Sequence, residues 1–309
     1  MAIKEAVLKS VSAKGAARTA RRLGYVAITL AALLYGGNVI AGRVVAPLVP
    51  PLAMAAARGL LGLPVLLLFA LKAGTSPQPA DLPYLALMGF LGISVAYGSF
   101  AWSMQNSPAV NAAIIFATFP AVTLVLLAIG WHVKPNRYQV AGIISAFTGL
   151  ALVTTQGSLA RLLTLRFQPV DLILLINVTA ASLYNILGQK MVERYSPVVT
   201  SAYSLLFGTL FLLPAGFWEI AHQGWYLPPI GWLLLLYMGC IIAGLAVLLN
   251  FEALERIGCG AVAMFNNLNP IAAIVLAALL LGEKLSWYHW AGIILVLGGV
   301  CLSLREPRG

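Results

Sequence analysis

Charge is what this sequence has least of. Asp, Glu, Lys and Arg make up 9% of its 309 residues, against roughly 25% in an average soluble domain. Hydrophobic residues make up 61%, more than a soluble globule of this size can bury. Ordinary soluble folds are therefore excluded, as are disordered and collagen-like chains. Cysteine is also scarce. Cys240, Cys259 and Cys301 lie in apolar stretches with no CxxC spacing, which argues against a disulfide framework and a zinc site. The three histidines, His132, His222 and His289, fall near the ends of apolar runs and do not cluster with acids. No HExxH, GxSxG or GxxxxGK[ST] pattern occurs, so no acid–base set, metal or cofactor is expected, and the chain reads as a non-enzyme. A transmembrane barrel would show short alternating strands in place of long apolar runs.

Long apolar runs are what the chain has instead. A membrane helix needs about 20 mostly apolar residues. Ten such segments are read at about 23–43, 52–71, 83–104, 108–130, 138–157, 170–190, 198–218, 230–251, 260–281 and 287–304. From Leu82 to Val133 there is no Asp, Glu, Lys or Arg; the turn-like Gln105-Asn106-Ser107-Pro108 divides that stretch. The net charge of +10 sits at the ends of these runs, where it acts as a topology signal and not as a nucleic-acid-binding face. With ten spans and the N-terminus inside, 14 of the 19 Lys and Arg residues fall on the cytoplasmic side. That bias places both termini in the cytoplasm. Residues 1–22 form a basic cytoplasmic segment, either a solvated tail or a short helix on the membrane surface.

The chain also repeats itself. A slide of 150 residues brings Pro120 onto Pro270, Lys134 onto Lys284, Tyr138 onto Tyr288, Ala141–Ile144 onto Ala291–Ile294, and Gly149 onto Gly299. A slide of 147 brings Asn38 onto Asn185, Arg43 onto Lys190, and Pro50 onto Pro197. This divides the chain into 23–157 and 158–309, each with five spans. An odd number of spans means that the second copy enters the membrane from the opposite side, a common plan among secondary transporters. The fold expected is an all-α polytopic membrane protein of ten helices in two inverted five-helix repeats.

The segments LYGGNVIAGR (34–43), Arg58, NSPAVNAAIIFATFPAVTLVLLAIGW (106–131) and GAVAMFNNLNPIAAIVLAALLLGEKLSWYHWAGIILVLGGVCL (260–302) resemble the EamA-type drug/metabolite transporter superfamily. Pro270, Gly282-Glu283-Lys284, Gly292 and Gly298-Gly299 carry the most specific part of the likeness, and Val133 stands where the first half would match Glu283. Within that superfamily the chain looks like the YddG-type amino-acid exporters. The resemblance implies an inner-membrane location and efflux of small metabolites.

Candidate substrate-binding residues come from polar groups inside the apolar runs. An intramembrane charge costs about 2.5–3.5 kcal/mol on insertion scales and is a functional candidate by default. Arg58 lies seven residues after Pro51, about 10 Å into its span, where it either meets a substrate carboxylate or snorkels. Asn38 and Asn185 occupy matched places. Asn266, Asn267 and Asn269 crowd before Pro270, which as a helix-interior proline would free the carbonyl of Asn266. Such asparagines either line a substrate path or bond across helices. Tyr97, Trp102, Tyr184 and Asn250 complete the set, although Trp102 also suits an interfacial aromatic belt. Pro120 and Pro270 are the candidate hinges. The first, third, fourth, sixth, eighth and ninth spans are expected to surround a central cavity.

The function expected is alternating-access export of small metabolites, most naturally amino acids, with aromatic ones as one option, by an uncoupled facilitator, since no acid is read at a midplane. The alternatives within transport are a nucleotide-sugar or phosphorylated-sugar antiporter, which would need several cavity cations, and a drug exporter. Outside transport, a membrane scaffold or sensor would not need the repeated design. The partners are a small-molecule substrate and the lipid bilayer; no nucleic acid is expected, and the chain is read as a monomer.

Overall fold

The computed structural model describes residues 2–107, 109–164, 166, 168–281 and 285–305. The Gly282-Glu283-Lys284 element lies outside the described residues. Helix α1 (Ala2–Val45) starts within the basic N-terminal segment and runs without a break through residue 22. It is followed by α2 (Pro51–Ala73). Helix α3 is a single run of Leu82–Gly89, a π-helical Phe90–Val95 and Ala96–Asn106. Helix α4 consists of Ala109–Ala117 and Phe119–Gly130, broken at Thr118. Helix α5 is Arg137–Thr154, α6 is Asp171–Val192 and α7 is Pro197–Gln223.

Helix α8 begins with Pro229–Leu236 and a π-helical Tyr237–Ala246, then continues into Val247–Phe265. Gly258 divides that last segment, with a φ of 78° and a ψ of 160° that no helix contains. Only a glycine takes this backbone without strain. Residues 259–265 therefore open α9, which continues as Leu268–Leu281, and α10 is Trp287–Ser303. Each of the ten apolar segments read from the sequence falls on one of these runs. Among the described residues, seven helices are long and apolar enough to cross a membrane; Leu268–Leu279 and Trp287–Ser303 are shorter apolar helices.

Burial is inverted relative to a soluble protein. Leu71, Ile129, Phe217, Leu279 and Ile294 point outward, whereas Arg58, Asn177, Ser182, Asn185, Thr200, Ser204 and Asn250 are buried. Apolar surface facing lipid costs nothing, so helix association rests on close packing and on internal hydrogen bonds. Glycines supply the closeness. A methyl placed on Gly142 in α5 would lie 2.5 Å from the carbonyl oxygen of Gly299 in α10, and one on Gly149 would lie 2.7 Å from that of Gly292.

Those contacts exchange partners across the sequence repeat. Gly142 and Gly292 are related by the 150-residue slide, as are Gly149 and Gly299. The same exchange recurs elsewhere. Gly89 of α3 meets Gly208 of α7, while Gly239 of α8 meets Leu61 of α2. Gly89 slides onto Gly239 by 150 residues and Leu61 onto Gly208 by 147. The π-helical segments of α3 and α8 also fall at matched places, and so do the breaks in α4 and α9. If residue i meets j′ and j meets i′, the two halves are related as by a two-fold rotation.

Candidate functional site

The buried polar groups converge beside Arg58. Helix α2 is fixed at its start by Pro51 and by close approaches to its neighbours. A methyl on Gly62 would lie 2.8 Å from the carbonyl oxygen of Gly239 in α8, and one on Gly59 would collide with Thr209 of α7. Small residues on both sides of Arg58 thus let two helices close over it, and its side chain is only 2% exposed. The guanidinium carbon lies 4.3 Å from the centre of the Tyr97 ring and 5.6 Å from that of Phe100. Tyr97 and Phe100 are three residues apart and share one face of α3. The ring faces attract the cation, but they accept none of its hydrogen bonds.

Nε and Nη1 of Arg58 are buried without a hydrogen-bond partner, as is the hydroxyl of Tyr97. Among the described residues no carboxylate pairs with this arginine. Asp81 pairs with Arg194 and Glu252 with Arg256. Glu219 accepts from the backbone N–H groups of Leu52 and Ala53, and Asp171 from Ser107 and Asn111. A buried charge left without its partner is strongly destabilising. Among the described residues no acceptor meets Nε or Nη1, and donors of a planar fork left free in this way suit a carboxylate that arrives from outside the protein.

Further groups from the other helices complete the centre. Tyr35 of α1 is within electrostatic reach of Arg58, Tyr97 and Tyr184. Asn38 lies three residues on, on the same side of α1, with its Oδ1 buried and unpartnered. Tyr184 of α6 bonds Ser204 of α7 at 2.9 Å, and its ring meets that of Phe251 edge-on at 5.3 Å. Phe116 of α4 lies 6.3 Å from Phe100. The walls therefore come from α1, α2, α3, α4, α6, α7 and α8. Helices α2 and α7 were not on the expected list of wall helices, and Tyr35 and Ser204 were not on the expected list of residues. The clue to Tyr35 was its three-residue spacing from Asn38.

The remaining candidates go elsewhere. Asn185 accepts from Asn250 at 3.0 Å, so these two amides satisfy one another across α6 and α8. Trp102 is partly exposed and stands about 140° around α3 from Tyr97, off the Arg58 face. Asn266 and Asn267 form the turn that interrupts α9. Asn267 is buried, and Asn269 has a buried, unpartnered Oδ1. The carbonyl of Asn266 is not freed by Pro270: it accepts from the N–H of Asn269 at 3.1 Å. The reason is positional. Pro270 stands in the first turn of Leu268–Leu281, and Pro120 in the first turn of Phe119–Gly130, where a helix has no use for the missing N–H. Arg58 itself is buried, whereas Tyr35, Tyr97, Phe100 and Phe116 around it are partly exposed. One cavity of about 360 Å³ is apolar and lies against α2 and α7, lined by Ala53, Ala57 and Gly216 among others.

An all-helical chain with its apolar surface outside and buried polar groups inside is a polytopic membrane protein of the kind that passes small solutes. The model of the EamA-like transporter family matches residues 22–155 and 168–305. The chain belongs to that family and is a membrane transporter. It is similar to the uncharacterized transporter YetK of Bacillus subtilis (strain 168), 22% identical over 288 residues, covering 92% of this chain and 87% of that protein. It is similar to a probable terminal-alkyne amino-acid exporter of Streptantibioticus cattleyicolor, 26% identical over 233 residues and covering 75% and 76% of the two chains. A crystal structure covering 92% of this chain and 98% of its own shares the fold, with a TM-score of 0.74 at 18% identity.

Proposed function

We propose that this transporter exports amino acids, or small metabolites built like them, across the inner membrane by alternating access. The observation that carries the reading is Arg58, a fully buried guanidinium with unused donors and no counter-ion among the described residues. A substrate carboxylate would complete it, with Tyr97, Tyr35, Asn38 and Tyr184 as neighbouring groups. The likeness to an amino-acid exporter points the same way. Asn185, Asn250, Asn266, Asn267 and Trp102 take supporting places in this reading.

The topology belongs to the proposal. Counting α5, α9 and α10 as crossings gives ten spans, and two inverted repeats with both termini in the cytoplasm. The glycine contacts support it. Pairing 142 with 299 and 149 with 292 makes α5 and α10 antiparallel, as the four crossings between them, α6 to α9, require. Pro120 and Pro270 mark the points where α4 and α9 break, and these breaks are the places where the two halves would flex.

Transport is proposed to be uncoupled. The buried carboxylates Asp171 and Glu219 lie near helix ends, and each is occupied by hydrogen-bond donors. A phosphorylated-sugar antiporter is disfavoured, because Arg58 stands alone where a phosphate would call for several cations. The test is uptake of a labelled panel of amino acids and sugar phosphates into proteoliposomes, with and without a pH gradient. Saturable amino-acid uptake indifferent to the gradient is expected. Uptake of sugar phosphates alone would overturn the reading.

A further inference from the structure

Each repeat joins its first two helices by a short linker, and the two linkers are held differently. On the side remote from the termini, residues 46–50 join α1 to α2. This linker carries Pro47 and Pro50, with Pro51 opening the helix. Pro50, the residue before α2, caps nothing with its side chain, so the first N–H groups of α2 need an acceptor from elsewhere. Glu219 of α7 supplies it. Its Oε2 accepts from Leu52 at 2.7 Å and from Ala53 at 3.0 Å, and the side chain is buried at 6% exposure. A carboxylate at a helix N-terminus is favoured by both hydrogen bonding and the helix dipole. Gln105 of α3 adds a second hold, with Nε2 donating to the carbonyls of Ala46 at 2.6 Å and Val49 at 2.9 Å. Arg58 stands five residues beyond Ala53, about 7.5 Å deeper along α2.

The matching linker on the other side is 193–196, between α6 and α7, which the 147-residue slide places on 46–49. Asp81 holds it, accepting from Arg194 at 2.8 Å and from the Tyr195 hydroxyl at 2.6 Å. The side chain of Arg194 is 57% exposed, so water competes for that pair. The two closures therefore differ in kind: one is a buried carboxylate on backbone donors, and the other is a carboxylate, 13% exposed, on a phenol and on an arginine that is itself 57% exposed.

We propose that Glu219 is a positioning residue for transport, the latch of the outer closure, and that Asp81 holds a weaker inner closure that yields first. The centre then opens by default toward the side of the termini, where an exporter loads. This rests on the transport reading above, with both termini cytoplasmic.

The test uses no substrate, so it stands or falls separately from the amino-acid assignment. Ser103 is fully buried on α3, between Tyr97 and Gln105. The probe is Ser103→Cys in a chain whose Cys240, Cys259 and Cys301 are replaced by alanine. A membrane-impermeant maleimide is applied to right-side-out and to inside-out vesicles. Glu219→Ala should raise labelling from the outside about tenfold, on the scale set by losing a charged hydrogen bond, and leave inside labelling no faster. Asp81→Asn should raise inside labelling only. Unchanged outside labelling in Glu219→Ala, or an equal rise from both sides, would overturn the latch. If the alanine variant does not accumulate, Glu219→Gln, which keeps one acceptor oxygen and loses the charge, is judged by the same two outcomes.

Discussion

The two ends of this molecule close over the same arginine with different chemistry. At the end remote from the termini Glu219 is buried and bonds two backbone donors; at the other end Asp81 meets an arginine that water also reaches. Hydrogen bonds to a charged group contribute about 1.5–3 kcal/mol each, while exposed ion pairs contribute about 0.2–1 kcal/mol. Two halves related by sequence have thus kept a common packing scheme and diverged at their latches. Packing is shared because glycine contacts such as Gly142 with Gly299 and Gly149 with Gly292 must be met on both helices at once. A latch needs one acceptor and one set of donors, and can be placed on either half independently.

The largest expected effect tests whether both ends seal one shared centre. Arg58→Ala should abolish transport in the parent chain and also with either latch removed. In proteoliposome uptake the loss should exceed about 100-fold, the scale of a buried charged hydrogen bond removed from a bound ligand. Arg58→Lys should rescue little, since an ammonium cannot form the planar fork. Retained transport in Arg58→Ala would show that the two closures guard something else.

The next effect sharpens the contrast between latches. Glu219→Ala should lower the thermal stability of the detergent-purified protein by about 2–4 kcal/mol, because two backbone donors lose a buried charged acceptor. Asp81→Asn should cost under about 1 kcal/mol. Equal losses would erase the distinction between a buried and an exposed closure.

A smaller effect concerns the pair that carries neither latch nor substrate in this account. Asn185→Leu alone strands the amide of Asn250 in the interior and should cost about 1–3 kcal/mol. The double change Asn185→Leu with Asn250→Leu should recover part of that loss, as measured by thermal unfolding. A double variant worse than either single change would mean that these amides have other partners. The smallest effect belongs to Pro270→Ala. Its ring stands in a first helical turn, so folding and transport should change little, by less than about threefold in rate.

Much of the fold was legible because lipid imposes a simple rule. Every run of about 20 apolar residues must satisfy its own backbone, and only a helix does so within one segment. All ten expected segments fall on helices for that reason. The repeat was legible from matched Pro, Gly and Lys positions. The site was less so. Arg58 stood out as a charge in an apolar run, but its place on the Tyr97 ring depends on how α2 packs against α3. Glu219, four residues before the end of α7, gave no signal in the sequence, because its partners are more than 160 residues away. The asparagines drew notice by type, yet type alone does not separate Asn38, with a free oxygen, from Asn185, which is paired. Proline misled in the opposite way. The rule for a helix interior was applied to Pro270, whereas the chain had already broken before it.

The central claim is that Arg58 awaits a carboxylate. The most direct measurement compares uptake of one transported amino acid with uptake of its carboxamide, which has the same side chain and amine but no negative charge. The account predicts saturable uptake of the acid, at least about 100-fold weaker uptake of the amide, and no difference between the two in Arg58→Ala. Equal uptake of acid and amide by the parent chain would contradict it.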